Sequence, residues 1–121
     1  MFRRWEIASP VCTVLHEDRL WRDSRLLCWV LMPDHLHLLA ALGRSESLSS
    51  LVGRVKAVTA REANRAMGRA RGRIWMPGFH DHALRRDEDL LPSARYIVLN
   101  PVRAGLVRSV RDYPFWNAVW L

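Results

Sequence analysis

The sequence has few of the features that mark disulfide-rich, zinc-binding or membrane proteins. Its two cysteines, Cys12 and Cys28, have a spacing that matches no common metal site, so we expect reduced thiols and no cysteine-bound zinc. No apolar run reaches the roughly 18 residues that a membrane-spanning helix needs, and no N-terminal signal segment is visible. These absences predict a cytoplasmic protein without a membrane partner.

Acidic residues are also few for the number of basic ones. The chain has 12 Asp and Glu against 19 Lys and Arg, which gives a formal net charge of +7, and the isoelectric point is near 10.9. Such an excess favours a polyanionic partner such as nucleic acid. All basic residues except Lys56 are arginine. A codon bias of the genome is therefore the alternative explanation, and charge alone leaves both open.

Length and composition predict one folded domain over residues 1–121. A chain of 121 residues, half of them hydrophobic, is large enough for one core and too small for two. No internal repeat, low-complexity segment or linker divides it.

The first half of the chain predicts a helix followed by a β-hairpin. Ser9 and Pro10 resemble a helix cap and first residue, which predicts a helix from Pro10 to Leu20. Leu26–Met32 is an apolar run with the length of a buried strand. Pro33 and Asp34 then form a turn, and His35–Leu42 predicts a second strand.

The second half predicts a long helix, a broken strand pair and a third helix. A serine-rich connector leads into the long helix, whose predicted apolar face is Leu48, Val52, Val55, Thr59 and Ala66. Gly68 and Gly72 end this helix. Strands are predicted within Ile74–Arg85, with a break at Pro77 and Gly78.

The third helix is predicted to begin at a cap formed by Asp87 and to run through Ile97. Pro101 interrupts or ends it, Gly105 closes the next turn, and the aromatic tail packs on the body. Because helices and strands do not alternate strictly, we predict an α+β fold with an antiparallel sheet and helices packed on it.

Two histidines stand two residues apart in the run "WVLMPDHLHLLAAL", residues 29–42. Side chains alternate between the two faces of a strand, so His35 and His37 share one face while Leu36 and Leu38 face the core. Two neighbouring imidazoles can bind one metal ion. A strand with hydrogen-bonded core histidines remains the alternative, because this pattern alone is a weak signal.

A tyrosine and an asparagine form a second candidate pair. Tyr96 and Asn100 lie four residues apart, one helical turn, and so point the same way. They could complete a site opposite the histidines. The alternatives are a core tyrosine with a solvated hydroxyl and an asparagine that ends a helix before Pro101.

Three blocks in order make the chain similar to a known family. "MPDHLHLL", "WMPGFHDHALR" and "YIVLNPVRAGLV" resemble the runs "MPNHVHLL", "WQRGFYDHVLR" and "YIHLNPVRAGLV" of the REP-associated tyrosine transposases, which are IS200-like single-tyrosine members of the HUH nuclease superfamily. The similarity covers most of residues 24–116, and the "DYPFW" near the end resembles the family's closing aromatic motif.

The resemblance implies a ferredoxin-like fold with a four-stranded antiparallel sheet. It implies that His35 and His37 are metal ligands, that Asn100 occupies the third ligand position and that Tyr96 is the nucleophile. The expected cofactor is Mg²⁺ or Mn²⁺, and histidine ligands favour manganese. The expected partner is single-stranded DNA with a small hairpin, cut through a 5′-phosphotyrosine intermediate.

Other residues are candidates for DNA contact. Arginines on the long helix and beyond it, one tryptophan, and two residues of the middle block could meet phosphates or bases. These candidates are Arg54, Arg61, Arg65, Arg69, Trp75, His82 and Arg85. The alternative is a solvated helix face for the arginines and core packing for the tryptophan.

The chain departs from the family at its start. Members usually carry a strand reading like "YHVTLRT" before the first helix, and the sequence here begins near that helix, so we expect this strand to be absent and the histidine strand to lie at a sheet edge. The protein is then a monomer or a homodimer. The alternatives to a transposase are a hairpin-DNA-binding module without cleavage activity, an unrelated metal hydrolase and a replication initiator.

Overall fold

A β-hairpin provides two neighbouring strands of the sheet. The structure is a computed structural model that describes residues 1–79 and 90–120. Strand β1 (Arg25–Leu31) pairs antiparallel with β2 (Leu36–Ala41), so that Val30 lies opposite His37. The Met32 N–H donates to the His35 carbonyl at 2.8 Å across the turn. The hairpin and its turn are thus confirmed.

The aromatic tail supplies the third strand. β3 (Trp116–Ala118) pairs antiparallel with β1, and the strand order β2-β1-β3 leaves β2 at an edge within the described part of the chain. Residues 74–79 are irregular, so the strand predicted to begin at Ile74 is wrong there. Ile74 packs on the core from a loop, and its apolar character reflects burial rather than strand pairing. The described residues form three strands, not the four that the resemblance implied.

The first helix begins earlier than its cap-like residues predicted. α1 covers Trp5–Leu15 and α2 covers Asp18–Trp21, with Pro10 inside α1. The prediction of a start at Pro10 is wrong because Ile7 and Ala8 are both fully buried. Their packing outweighs the backbone hydrogen bond that proline cannot donate.

The long helix follows its local signals. α3 (Leu48–Ala66) starts after Ser47, whose side chain accepts the Ser50 N–H at 3.1 Å, and Gly68 ends it with a φ of +72°. Its buried face differs in part from the predicted one, because Leu48 and Val52 are only half-buried. The buried residues are Leu51, Val55, Thr59, Ala63 and Asn64.

The core forms where α1 packs on α3 and on the sheet. Leu36 and Leu38 pack against it, as strand alternation predicted, so His37 occupies the other face of β2. Tyr113 and Phe115 bring the tail onto the same core, which confirms its predicted packing. The central members of this core are Phe2, Ile7, Val11, Leu15, Trp29, Leu31 and Val55.

The last helices place the second candidate pair. α4 (Leu90–Val98) packs against β1 and β2, and α5 (Asn100–Arg103) follows after Leu99. Pro101 interrupts the helix and Gly105, with a φ of +75°, closes the turn, as predicted. The predicted cap Asp87 lies outside the described residues.

The architecture is therefore the predicted α+β class: a three-stranded antiparallel sheet with helices packed on it. Both cysteines are free thiols. None of the helices in the described part of the chain has the length and apolar content to span a bilayer.

Candidate functional site

The two histidines of the hairpin face each other. His35 stands in the turn just before β2 and His37 is the second residue of that strand. Their Nε2 atoms are 2.8 Å apart, and the rings meet at 84° with centroids 4.6 Å apart. Two ligands at right angles around an ion with bonds of about 2.1 Å would be about 3 Å apart. The pair therefore has a spacing that suits one shared cation.

Asp34 orients the first ring. Its Oδ1 lies 2.6 Å from His35 Nδ1, and the pKa of the Asp34 carboxyl is lowered mainly by this hydrogen bond. A proton held on Nδ1 leaves the Nε2 lone pair of His35 free. This carboxylate–imidazole contact is the usual support of a metal-binding histidine.

The surroundings of His37 favour its neutral form. Burial lowers its pKa, and electrostatic interactions with His35 and Arg103 lower it further. The neutral imidazole is the form that binds a cation. Within residues 1–79 and 90–120, no group of three His, Cys, Asp or Glu side chains could hold a metal ion. A cation at the pair thus needs another kind of ligand, such as the predicted Asn100 amide.

The two tyrosines of the chain have opposite environments. The Tyr96 side chain on α4 is 65% exposed, whereas Tyr113 is 8% exposed. The Tyr113 hydroxyl donates to the Leu31 carbonyl, and burial raises the pKa of that phenol to about 12. Tyr96 is the tyrosine whose hydroxyl can meet a substrate.

Arg103 contacts the tyrosine of α4 in two ways. Its guanidinium carbon stands 3.7 Å from the centre of the Tyr96 ring, and its Nη2 donates to the Tyr96 carbonyl. The same guanidinium is one of the charges that lower the pKa of His37. Arg103 is not among the site residues predicted from the sequence, although its position seven residues after Tyr96, two helical turns, was a usable signal.

Asn100 lies between Tyr96 and Arg103 in the chain. Its Nδ2 donates to the Ile97 carbonyl at 2.9 Å, which leaves Oδ1 as the atom suited to a cation. Among the hydrogen bonds of the described residues, none joins Asn100 to either histidine. Its role as third ligand stays a prediction.

The sequence model of a family described as "Transposase IS200 like" matches residues 1–97, which include both histidines and Tyr96. The chain belongs to the IS200-like transposase family. The predicted resemblance is thereby confirmed.

Known relatives of this IS200-like transposase chain carry more specific names. It is 33% identical over 95 residues to the REP-associated tyrosine transposase of Escherichia coli K12, covering 78% of this chain and 54% of that one. A putative REP-associated tyrosine transposase of Haemophilus influenzae is also 33% identical over 95 residues, covering 70% and 53%. The chain spans about half the length of these curated relatives.

One solved structure has the same fold. It shows a REP-associated tyrosine transposase bound to a REP hairpin, with a TM-score of 0.66 and 28% sequence identity. The match covers 93% of this IS200-like transposase chain and 63% of the solved one. The antiparallel sheet and its helices are thus those of a transposase.

Two of the arginines predicted to contact DNA have structural roles in this IS200-like transposase. Arg54 donates to both carboxylate oxygens of Glu46, at 2.5 and 2.6 Å, and to the Leu20 carbonyl at 2.7 Å. Arg69 donates twice to Asn64 Oδ1, at 3.0 and 2.8 Å. Their guanidinium groups tie neighbouring loops to α3, and contact of these two arginines with DNA stays a prediction.

Trp75 also has a structural role. Its ring packs 5.2 Å from that of Phe2, and its Nε1 donates to Thr59 Oγ1 at 2.9 Å. This half-buried ring packs against the core, and its stacking on a base stays a prediction. Arg61 and Arg65 are exposed on α3, where Arg65 lies 3.5 Å from Glu62. His82 and Arg85 lie outside the described residues.

Proposed function

We propose that this chain is the nuclease part of a divalent-metal-dependent single-stranded DNA strand transferase that acts at hairpins, with Tyr96 as nucleophile. The observation that carries the proposal is an exposed Tyr96 on α4, the helix that packs against β2, together with the facing imidazoles of His35 and His37 at that strand. Family membership and the hairpin-bound relative support it.

The reaction needs one group that attacks phosphorus and one that stabilises the charge that develops on the phosphate. The Tyr96 Oη attacks the scissile phosphate, the bond from phosphorus to the 3′ oxygen breaks, and that oxygen leaves with a proton as a free 3′-hydroxyl. The 5′-phosphotyrosine keeps the phosphodiester's reactivity, so a 3′-hydroxyl can later displace the tyrosine and join two strands. His35, His37 and Asn100 would hold a divalent cation, which would stabilise the negative charge that develops at the phosphate.

Charge and exposure favour a nucleic-acid substrate. The net charge is +7, and Arg61 and Arg65 extend from the solvent side of α3. Contacts of this kind add affinity that is independent of sequence and falls as salt rises. We assign the hairpin preference by analogy with the relative solved with a REP hairpin.

The test uses a DNA hairpin with a single-stranded flank, labelled either at its 5′ end or at its 3′ end, and incubated with the protein and Mn²⁺ or Mg²⁺. We expect a protein–DNA adduct on a denaturing gel that carries only the 3′ label, because the strand 3′ of the cut stays on tyrosine. Tyr96→Phe should abolish the adduct and His35→Ala should strongly reduce it. Tyr113→Phe, which changes the buried tyrosine, is the matched control and should keep it.

Two results would contradict the proposal. An adduct that persists in Tyr96→Phe would show that another residue attacks the DNA. Salt-dependent hairpin binding by wild type without an adduct in either metal would instead identify a binding module without cleavage activity.

A further inference from the structure

Tyr96 has an unusual setting for a side chain proposed to act on a phosphate. Its ring is mostly exposed on α4, so the body of the protein does little to fix its orientation. An exposed aromatic side chain can change rotamer within nanoseconds. Attack on phosphorus requires a defined approach, and a small misplacement of a reacting group lowers a rate strongly. Something outside the core must therefore hold the ring.

Arg103 makes two contacts that can do so. The guanidinium stacks on the Tyr96 ring at 3.7 Å, and one of its N–H groups donates to the carbonyl of the same residue. The hydrogen bond fixes the guanidinium against the α4 backbone, and the stacking then fixes the ring against the guanidinium. A planar cation over an aromatic face is attracted to it, and arginine suits this geometry better than lysine.

The location of Arg103 adds a reason to connect it with the site. Arg103 is the last residue of α5, and the tyrosine that it stacks on belongs to α4, which packs against β2. The ring that Arg103 contacts is therefore carried by the helix that packs on the strand of His37.

We propose that Arg103 is a positioning residue that holds the Tyr96 phenol on the side of the histidine pair by stacking on its ring and bonding its carbonyl. The effect on cleavage rests on the function proposed above, whereas the effect on the ring does not. Arg103 acts through Tyr96 and needs no contact with DNA.

The first measurement is the single-turnover rate of adduct formation at saturating hairpin DNA. Arg103→Ala should lower this rate about tenfold and leave the half-saturating DNA concentration unchanged, since the loss is of orientation rather than of binding. Arg103→Lys keeps the charge without the planar face and should give an intermediate rate. Arg95→Ala removes an exposed charge from α4, the helix that carries Tyr96, and is the matched control, expected to retain the wild-type rate.

The second measurement needs no cleavage. With 3-fluorotyrosine at both positions, ¹⁹F NMR reports the two rings separately, and Tyr96→Phe assigns the signals. Arg103→Ala should shift and sharpen the Tyr96 signal, because the freed ring averages over more rotamers. The Tyr113 signal should stay in place and show that the core is intact. Arg95→Ala should leave both signals unchanged.

The outcomes separate the two proposals. Wild type without an adduct, but with a Tyr96 signal that responds to Arg103→Ala, would overturn the nuclease function and support the positioning role. An adduct that forms at equal rates in wild type and Arg103→Ala, with an unmoved Tyr96 signal, would overturn the positioning role alone. A third outcome would be an equal loss of the adduct-formation rate in Arg103→Ala and Arg95→Ala, with the full wild-type rate in Arg103→Lys. Arg103 would then act only as a general positive charge, and the positioning role would be overturned.

Discussion

The Nε2 atoms of His35 and His37 lie 2.8 Å apart, while Nδ1 of His35 is held by Asp34 at 2.6 Å. Two rings in this arrangement can form a hydrogen bond with each other, or both can bind one cation through Nε2. We expect Mn²⁺ to bind, as measured by the loss of its free electron paramagnetic resonance signal on titration with protein. Removing either ring should weaken the affinity at least tenfold.

The matched control for metal binding is His16→Ala. His16 is exposed at the end of α1, where it packs edge-on against Trp29 rather than against the pair. We expect its loss to leave the Mn²⁺ affinity unchanged. Asp34→Asn should weaken binding about tenfold, since the supporting carboxylate is lost while both ligands stay. Equal affinities in wild type and His35→Ala would exclude a site at the pair.

The Arg54–Glu46 pair predicts that two arginines of one helix behave differently. Arg54→Gln leaves the buried Glu46 carboxylate without its bidentate partner, so the midpoint of thermal unfolding should fall by several degrees. Arg61→Gln should leave that midpoint unchanged because Arg61 is exposed. In a hairpin-binding titration at several salt concentrations, Arg61→Gln should instead reduce the salt dependence. If Arg54→Gln instead reduced the salt dependence and left the unfolding midpoint unchanged, Arg54 would be assigned to the DNA-contacting surface.

Tyr113 predicts a loss of stability at alkaline pH. Burial raises its pKa to about 12 in the folded protein, above the ordinary value of 10.0. The unfolded chain therefore releases this proton first, and the contribution of Tyr113 to the free energy of unfolding should be constant below pH 10 and fall between pH 10 and 12. Urea unfolding at several pH values measures it.

The control for this prediction is Tyr113→Phe, which has no proton to lose. Its free energy of unfolding should be lower at neutral pH, because the hydrogen bond to Leu31 is lost, and flatter across the alkaline range. Parallel pH profiles of the two proteins would contradict the assignment.

Two glycines predict opposite effects of the same substitution. A Cβ on Gly43 would lie 2.4 Å from Asp23 Cγ and 2.6 Å from the Asp23 carbonyl oxygen, so Gly43→Ala should destabilise the fold by about 2 kcal/mol. A Cβ on Gly53 inside α3 would meet nothing within 4 Å. Gly53→Ala should therefore stabilise by up to about 1 kcal/mol through helix propensity. Chemical denaturation of both variants checks the signs.

Local patterns of the sequence were sufficient for the hairpin, the long helix and the facing histidines. A strand, a turn at Pro33 and a helix after a serine-rich connector each depend on a few neighbouring residues. Strand alternation likewise places His35 and His37 on one face without knowledge of the rest of the chain. Tyr96 as the nucleophile came from the family resemblance, and the spacing of Tyr96 and Asn100 added only that both point one way.

Tertiary structure decided everything that depends on contacts between distant segments. The tail became a strand because Trp116 meets Val30, and Tyr113 was excluded as a nucleophile because its hydroxyl reaches Leu31. Arg54 and Arg103 have the same side chain. One is paired with a buried carboxylate and the other stacks on an exposed ring. Burial and long-range pairing set these roles, and neither is encoded in the spacing of nearby residues.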